Sequence, residues 1–420
     1  MSLASAEEQP ATSVPTPLWR NWRFQLLWIG SSTATLGVEI ADVAYPLLIL
    51  ALTGSAVLAG LFGFLQFAAM CLLGLPVGVL IDRLDRRRVL LAAEAGRALL
   101  VGSVAVAAAV HHLTVAHMLV TAVLLGIGTT FGGPVRMLMI RAVVPRQQLT
   151  AALTQDEVRE GATSLSGPPL GGLLYGLSRT LPFLCCALSF AVSFVCALLV
   201  RPPREPAGAD GEGGRGFGGM FDGFRELWRS PLLRHAIIMI TTYYLAAMAT
   251  VLSVIVILEA RGTSPKAIGL ALTGTAVGTL LGSIFVGRLH RLLRPGRLLV
   301  LVSATVAVSV ALLAVPWDYG WVFAALALGA LLVPAMRVLV DVLIFRQVPD
   351  ERRGRTVVAT MTTFAAGPPL GALLAGLLLQ LAGGRAAVLT IAVLVALSAL
   401  YGLSDRHVRQ AAWPADDGNG

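Results

Sequence analysis

An eight-residue phrase, GPPLGGLL at 167–174, returns as GPPLGALL at 367–374, with seven of the eight positions identical. Both copies lie inside long apolar runs and put glycine and proline where leucine would ordinarily serve a membrane helix. A chain of 420 residues that repeats at about half its length reads as two related halves. Lipid narrows the solution further, because a buried segment must satisfy its own backbone amides and so spans as a helix or a closed barrel.

Composition supports the membrane reading. Hydrophobic residues make up 56% of the chain, charged residues 13%, and the mean hydropathy is +0.79. A spanning helix needs about 20 mostly apolar residues. By that measure the sequence predicts an all-α membrane protein with twelve spans, near 24–51, 56–81, 89–110, 115–140, 153–177, 181–200, 234–258, 267–287, 297–316, 320–345, 355–381 and 384–403. Paired six-helix halves in a membrane are an architecture of secondary transporters, with the substrate path between them. The expected organisation is a cytoplasmic segment 1–23, a bundle 24–200, a linker 201–233, a second bundle 234–404 and a tail 405–420. Residues 1–23 contain no apolar core, so no cleavable signal is expected.

Arginine sets the orientation. With the N-terminus inside, 24 of the 32 Lys and Arg residues fall in cytoplasmic segments. Four fall outside (Arg179, Arg261, Lys266, Arg385) and four within spans (Arg97, Arg136, Arg159, Arg337). This is a strong positive-inside bias and puts both termini in the cytoplasm. The net charge of +9 is therefore a topology signal spread over loop ends, not a nucleic-acid surface. Cys71, Cys185, Cys186 and Cys196 all fall in spans and lack metal spacing, so they read as apolar thiols. The stretch 201–230 is too polar to span. Its first part reads as a linker. Phe221, Phe224 and Trp228 then share one helical face, which fits either a helix lying on the leaflet or one packed under the bundle.

Three groups of residues suggest mechanism. At the end of span two, Gly74 and Gly78 form a small-xxx-small pair that permits close helix approach. Asp82, Arg83, Arg86 and Arg87 follow, a carboxylate and arginines able to latch one half to the other. In spans five and eleven, Gly167, Pro168 and Gly171 match Gly367, Pro368 and Gly371. Proline removes amide donors, and glycines at 167, 171 and 172 permit close packing against the other half, so a bend acting as a symmetric hinge or seal is expected. In span one, Glu39 and Asp42 sit three residues apart. A carboxylate costs on the order of 2.5–3.5 kcal/mol at a helix centre, so two on one face point to an aqueous cavity and to binding of a proton or a cationic group. Alternatively, Asp42 reaches the outer interface. Arg136 either snorkels or meets an anionic group in the cavity. Arg337 and Asp341 are spaced to pair with each other, as are Glu94 and Arg97. Asp156, Glu157, Arg159 and Glu160 suggest a cytoplasmic gate network. Gln66, Tyr243, Tyr244 and Phe364 are candidates to line the cavity.

The run Gly78-x-x-x-Asp82-Arg83-x-x-Arg86-Arg87 resembles the signature loop of the major facilitator superfamily. Asp85 stands where that family usually has glycine, a substitution associated with its bacterial drug- and siderophore-exporting branch. Gly167-Pro168-x-x-Gly171 is similar to the end of the antiporter motif of proton-driven drug exporters, although Thr163 replaces an upstream glycine. Leu36-Gly37 followed by Pro46 is similar to a further exporter motif. Across 20–405 the resemblance implies the twelve-helix fold in two pseudo-symmetric bundles, alternating access and proton antiport. Its partners would be protons, membrane lipids and a small amphipathic compound such as an antibiotic or siderophore, handled by a monomer without cofactor or metal. Import or lipid flipping on the same fold, and a non-transporting sensor, are the rival expectations. No phosphate-binding loop or His-Glu metal motif is present, so no enzymatic role is expected.

Overall fold

The computed structural model describes residues 17–81, 84–200, 225, 227–315, 318–347 and 350–404. Helix ends follow local chemistry. α1 (Trp22–Thr53) begins where the Asn21 side chain accepts from the Phe24 amide, and it ends at Gly54 in the left-handed region (φ +64°). α2 spans Ala56–Ile81. α3 (Arg86–Ala109) is capped by Asp85, which accepts from the Arg88 amide at 3.1 Å. α4 (Val115–Val143) is capped by Thr114; α5 (Leu149–Leu177) and α6 (Leu181–Leu199) complete the first half.

In the second half, α7 (Pro231–Ala260), α8 (Pro265–Leu292) and α9 (Pro295–Leu312) each start with proline, whose missing amide costs nothing at that position. α10 (Tyr319–Ala330) and α11 (Val333–Gln347) replace the single expected span ten. The interruption at Leu331 and Leu332 falls just ahead of Pro334, which has no amide to continue the ladder. α12 (Asp350–Ala365) and α13 (Gly367–Ser404) close the chain.

α13 is 38 residues long, about 57 Å if it were straight. It is not one straight rod. Gly383 has φ +80° and ψ 169°, outside helical geometry. Contacts along α7 show that the chain reverses there. Gly371 lies against Leu245, Gly384 against Ile257, and Gly402 back against Met239.

Ten helical stretches among the described residues are long and apolar enough to cross a membrane. Two physical reasons separate ten from the expected twelve. The first half of α5 carries Asp156, Glu157, Arg159 and Glu160, and the tight reversal at Gly383 leaves the two arms of α13, the expected spans eleven and twelve, within one apolar stretch, Thr356–Ser404. The amphipathic segment expected over 217–228 lies outside the described residues except for Arg225, Leu227 and Trp228.

Packing resolves into two sets of helices. α1 packs on α5 and α6, α2 on α4, and α3 on α4 and α6. In the other set α13 packs on α7 and α9, and α8 on α10 and α11. Two pairs, α2 with α13 and α5 with α8, carry most of the contact between the sets. Both crossings need glycine. A Cβ on Gly172 would stand 2.2 Å from the Pro265 carbonyl oxygen, and one on Gly269 2.2 Å from that of Pro168. At the α2–α13 crossing a Cβ on Gly60 would stand 2.5 Å from the Ala372 carbonyl oxygen and 2.9 Å from the Cα of Gly376. Beside it, the Gln380 side chain accepts from the Ala56 amide at 3.2 Å and caps α2 from the other half. This backbone-to-backbone seam lies at the end of the molecule that holds the α1–α2 and α7–α8 turns.

Candidate functional site

On the opposite side of the seam lies a cavity of about 810 Å³. One wall is built from α1, α2 and α5, and the other from α7, α8 and α11. α1 brings a ladder of polar residues at helical spacing, Ser31, Thr35, Glu39 and Asp42. Each rung is matched from another helix. Ser31 accepts from Arg136 Nη1 at 3.2 Å, and Thr35 from Arg159 Nη1 at 2.9 Å. Ser164 donates to Glu39 Oε1 at 3.0 Å, and Gln66 of α2 lines the cavity together with Asp42.

The upper two rungs, Glu39 and Asp42, open into the cavity together with Gln66. Asp42 therefore faces the cavity and not the outer interface. Pocket walls of Val43, Phe62, Met248 and Leu252 surround these acids with apolar surface. Glu157 and Glu160 add two further carboxylates toward the mouth, and Arg337 faces them from α11.

The repeated GPPLG element explains how α1 comes so close. A Cβ on Gly167 would meet the Glu39 Cβ at 2.2 Å, and one on Gly171 the Ile40 carbonyl oxygen at 2.7 Å. In the second copy, Gly367 lies against Tyr244 and Gly371 against Leu245 on α7. The element is thus a helix-packing surface in both halves. Its effect on the backbone differs between them. α5 runs unbroken through Pro168 and Pro169, whereas α12 ends at Ala365, where the Ala366 amide turns back to the Thr363 oxygen at 3.2 Å. The two copies are therefore not symmetric in their backbone, helix α5 being continuous through Pro168 and the second half broken ahead of Pro368.

Other expected positions fall elsewhere. Arg136 is not in the cavity lining. Its side chain is 11% exposed and pairs through Nη2 with Glu94 Oε1, while Ser193 accepts from the same nitrogen at 3.2 Å. Arg97 meets the same Glu94 oxygen at 2.5 Å and lies over the Phe190 ring, 4.5 Å from its centroid. The Glu94–Arg97 pairing expected from the sequence thus exists, enlarged by an arginine 42 residues away. Arg159 pairs with Asp156 at 2.7 Å.

Tyr243, Tyr244 and Phe364 stack among themselves, with centroids 5.4 and 5.7 Å apart, and pack into the second-half core instead of the cavity wall. Among the described residues no ion pair joins Arg337 to Asp341, and Asp341 is not part of the lining.

At the expected latch, Asp82 and Arg83 lie outside the described residues. Arg87 reaches the C-terminal carbonyls of α6 in its own half, Val200 at 3.0 Å and Leu198 at 2.6 Å, where the helix dipole favours a cation. Gly74 has open space around it, so no helix uses its small profile in this conformation. Gly172 packs against the second half as its place in the repeat predicts, whereas sequence reasoning missed Ser164 and Gly269, whose only signal was a small residue in an apolar run.

Two sets of helices joined by a glycine seam, with carboxylates in the intervening cavity, define a secondary transporter of the major facilitator class. Residues 12–415 match the family described as transmembrane secretion effector, and the chain belongs to that family. The multidrug efflux pump Tap of Mycolicibacterium fortuitum is 27% identical over 383 residues, covering 88% of this chain and 92% of that protein. Macrolide efflux protein A of Streptococcus pyogenes is 25% identical over 192 residues, covering 44% of this chain and 47% of that protein. Among solved structures, a bacterial homologue of the iron transporter ferroportin in an inward-facing state superposes with a TM-score of 0.73 at 16% identity, over 93% of this chain and 99% of that one. A bacterial homologue of the human lysosomal transporter Spinster, also inward-facing, gives 0.69 at 18% identity, over 96% and 99%.

Proposed function

We propose that this protein exports a small, amphipathic, positively charged compound across the bacterial cytoplasmic membrane by proton antiport. The observation that carries the reading is the pair Glu39 and Asp42 on α1, opening into a cavity of about 810 Å³ that the glycine seam closes at one end. A cavity with carboxylates set among apolar walls suits a cation with apolar surface. The same carboxylates suit a proton, so the two ligands would compete for one site, which is the physical basis of exchange. Relatives described as a multidrug efflux pump and a macrolide efflux protein support export over import, flipping or sensing.

On this reading the chain crosses the membrane twelve times, counting α5 and both arms of α13 as crossings. Residues 24–200 and 234–404 form the two bundles, the linker and both termini are cytoplasmic, and the unit is a monomer in lipid. The arginine-rich loop ends support a cytoplasmic cavity mouth, and with it an inward-facing conformation. Everted vesicles test the reading. Adding a lipophilic cation should release protons from energised vesicles that contain the protein and not from vesicles that lack it. No release across a panel of such cations would remove proton-coupled export.

The seam makes its own prediction. Gly172→Val is expected to abolish transport in those vesicles while the protein still inserts and purifies normally, because the added carbons would overlap the Pro265 backbone. Undiminished transport by Gly172→Val would show that the α5–α8 crossing plays no part in the cycle.

A further inference from the structure

Four arginines lie within the spans, and three of them are ion-paired there. Arg97 and Arg136 share Glu94, with side chains 6% and 11% exposed, and Arg159 pairs with Asp156 at 7% exposure. The fourth behaves differently. Arg337 is exposed, lines the cavity, and among the described residues has no carboxylate at ion-pair distance.

The duplication accounts for the contrast. Arg136 on α4 and Arg337 on α11 occupy related places in the two halves, each just after a proline (Pro134 and Pro334). In the first half α3 supplies Glu94 to hold the arginine in the core. The corresponding helix of the second half, α9, has no acidic residue at all, and Leu298, Leu299 and Val302 fill its buried face. Among the described residues the guanidinium thus forms no ion pair within its own bundle, with Asp341 one turn away in electrostatic reach, and it opens into the cavity. An unpaired charge at membrane depth is costly unless water or an anion meets it. A planar guanidinium is suited to a carboxylate or similar anionic oxygen, which it can bind through two parallel hydrogen bonds.

We propose that Arg337 is the anion-recognising residue of the cavity, so that the preferred cargo is a zwitterion whose cationic end meets Glu39 and Asp42 and whose acidic oxygen meets Arg337. This rests on the reading of the cavity as the export site. The carboxylates stand on the wall formed by the first half and the arginine on the wall formed by the second, so one zwitterion would bridge the two bundles. A simple cation would engage only the first.

Rhodamine 19, a dye with a delocalised cation and a free carboxylate, and rhodamine 6G, its ethyl ester, differ only in the acidic group. Binding of both to the purified full-length protein in nanodiscs is read by fluorescence polarisation. The parent protein is expected to bind rhodamine 19 more tightly than rhodamine 6G. Arg337→Gln should weaken rhodamine 19 by about tenfold and leave rhodamine 6G unchanged, as a lost charged hydrogen bond implies. Arg337→Lys should keep part of the preference, because the charge remains and the fork is lost. Equal affinity of the parent protein for both dyes, or an equal loss of both in Arg337→Gln, overturns the proposal while leaving the cationic cavity intact. Failure of both dyes to bind the parent protein removes the export-site reading itself, and this inference with it.

Discussion

Replacing Glu94 with leucine is expected to destabilise the protein by about 3–5 kcal/mol, the cost of stripping a buried ion cluster of its only anion. Glu94 is 0% exposed, and both Arg97 and Arg136 depend on its Oε1. The variant would leave two guanidinium groups between α1, α3, α4 and α6 with only the Ser31 and Ser193 hydroxyls and the Phe190 ring nearby. Neither charge can swing to water cheaply, because Gly128 and Gly132 of α4 form a slot around the Arg97 side chain, 2.9 Å from a Cβ at either position. A thermal melt of the purified protein in detergent gives the measurement. The triple variant Glu94→Leu, Arg97→Met, Arg136→Met should recover most of the loss, since removing the whole cluster leaves no unpaired charge. A single-variant loss below about 1 kcal/mol would mean that water reaches the cluster and that it is not the rigid centre of the first half.

The second large effect concerns the cavity. Glu39→Gln and Asp42→Asn preserve shape and hydrogen-bonding capacity but cannot exchange a proton. The double variant is expected to abolish cation-dependent proton release from everted vesicles and to flatten the pH dependence of transport. Ser164 can still donate to the amide oxygen of a glutamine at 39, and Gln66 still faces position 42, so loss of fold is not the expected cause. Expression and melting temperature should match the parent. If each single variant and the double variant transport with unchanged pH dependence, neither carboxylate carries the proton.

Much of this architecture was legible in the sequence, for reasons that individual residues make plain. Glu94 and Arg97 are three apart on a helix, so their pairing follows from local spacing. Arg136 joins them from 42 residues away, a distance that periodicity does not encode. Glu39 and Asp42 stood out because carboxylates are costly in an apolar run, and the cavity is where they open.

The GPPLG repeat was visible, but its consequence was not. Whether Pro168 and Pro368 break a helix depends on the neighbours of each copy, and the partner of Gly167 is an acid whereas that of Gly367 is Tyr244. The two halves kept one packing device and diverged in what it packs against, so the carboxylate beside Gly167 has no counterpart beside Gly367. The seam was legible on one side alone. Gly172 belongs to the repeat, where close packing against the other half is expected, whereas Gly269 is a small residue among many and only the approach of Pro168 distinguishes it. The aromatic group Tyr243, Tyr244 and Phe364 misled because large rings fill cores as readily as they line cavities.

Alternating access is the claim on which the functional account turns. Leu199 and Leu292 are exposed at the cavity-mouth ends of α6 and α8, one in each half. Spin labels on cysteines introduced at these two positions, with Cys71, Cys185, Cys186 and Cys196 replaced by alanine, report the separation of the halves by pulsed electron resonance. The account predicts two distance populations, with the shorter one growing when pH is lowered and a lipophilic cation is withheld. One unchanging distance under every combination of pH and cation would contradict it.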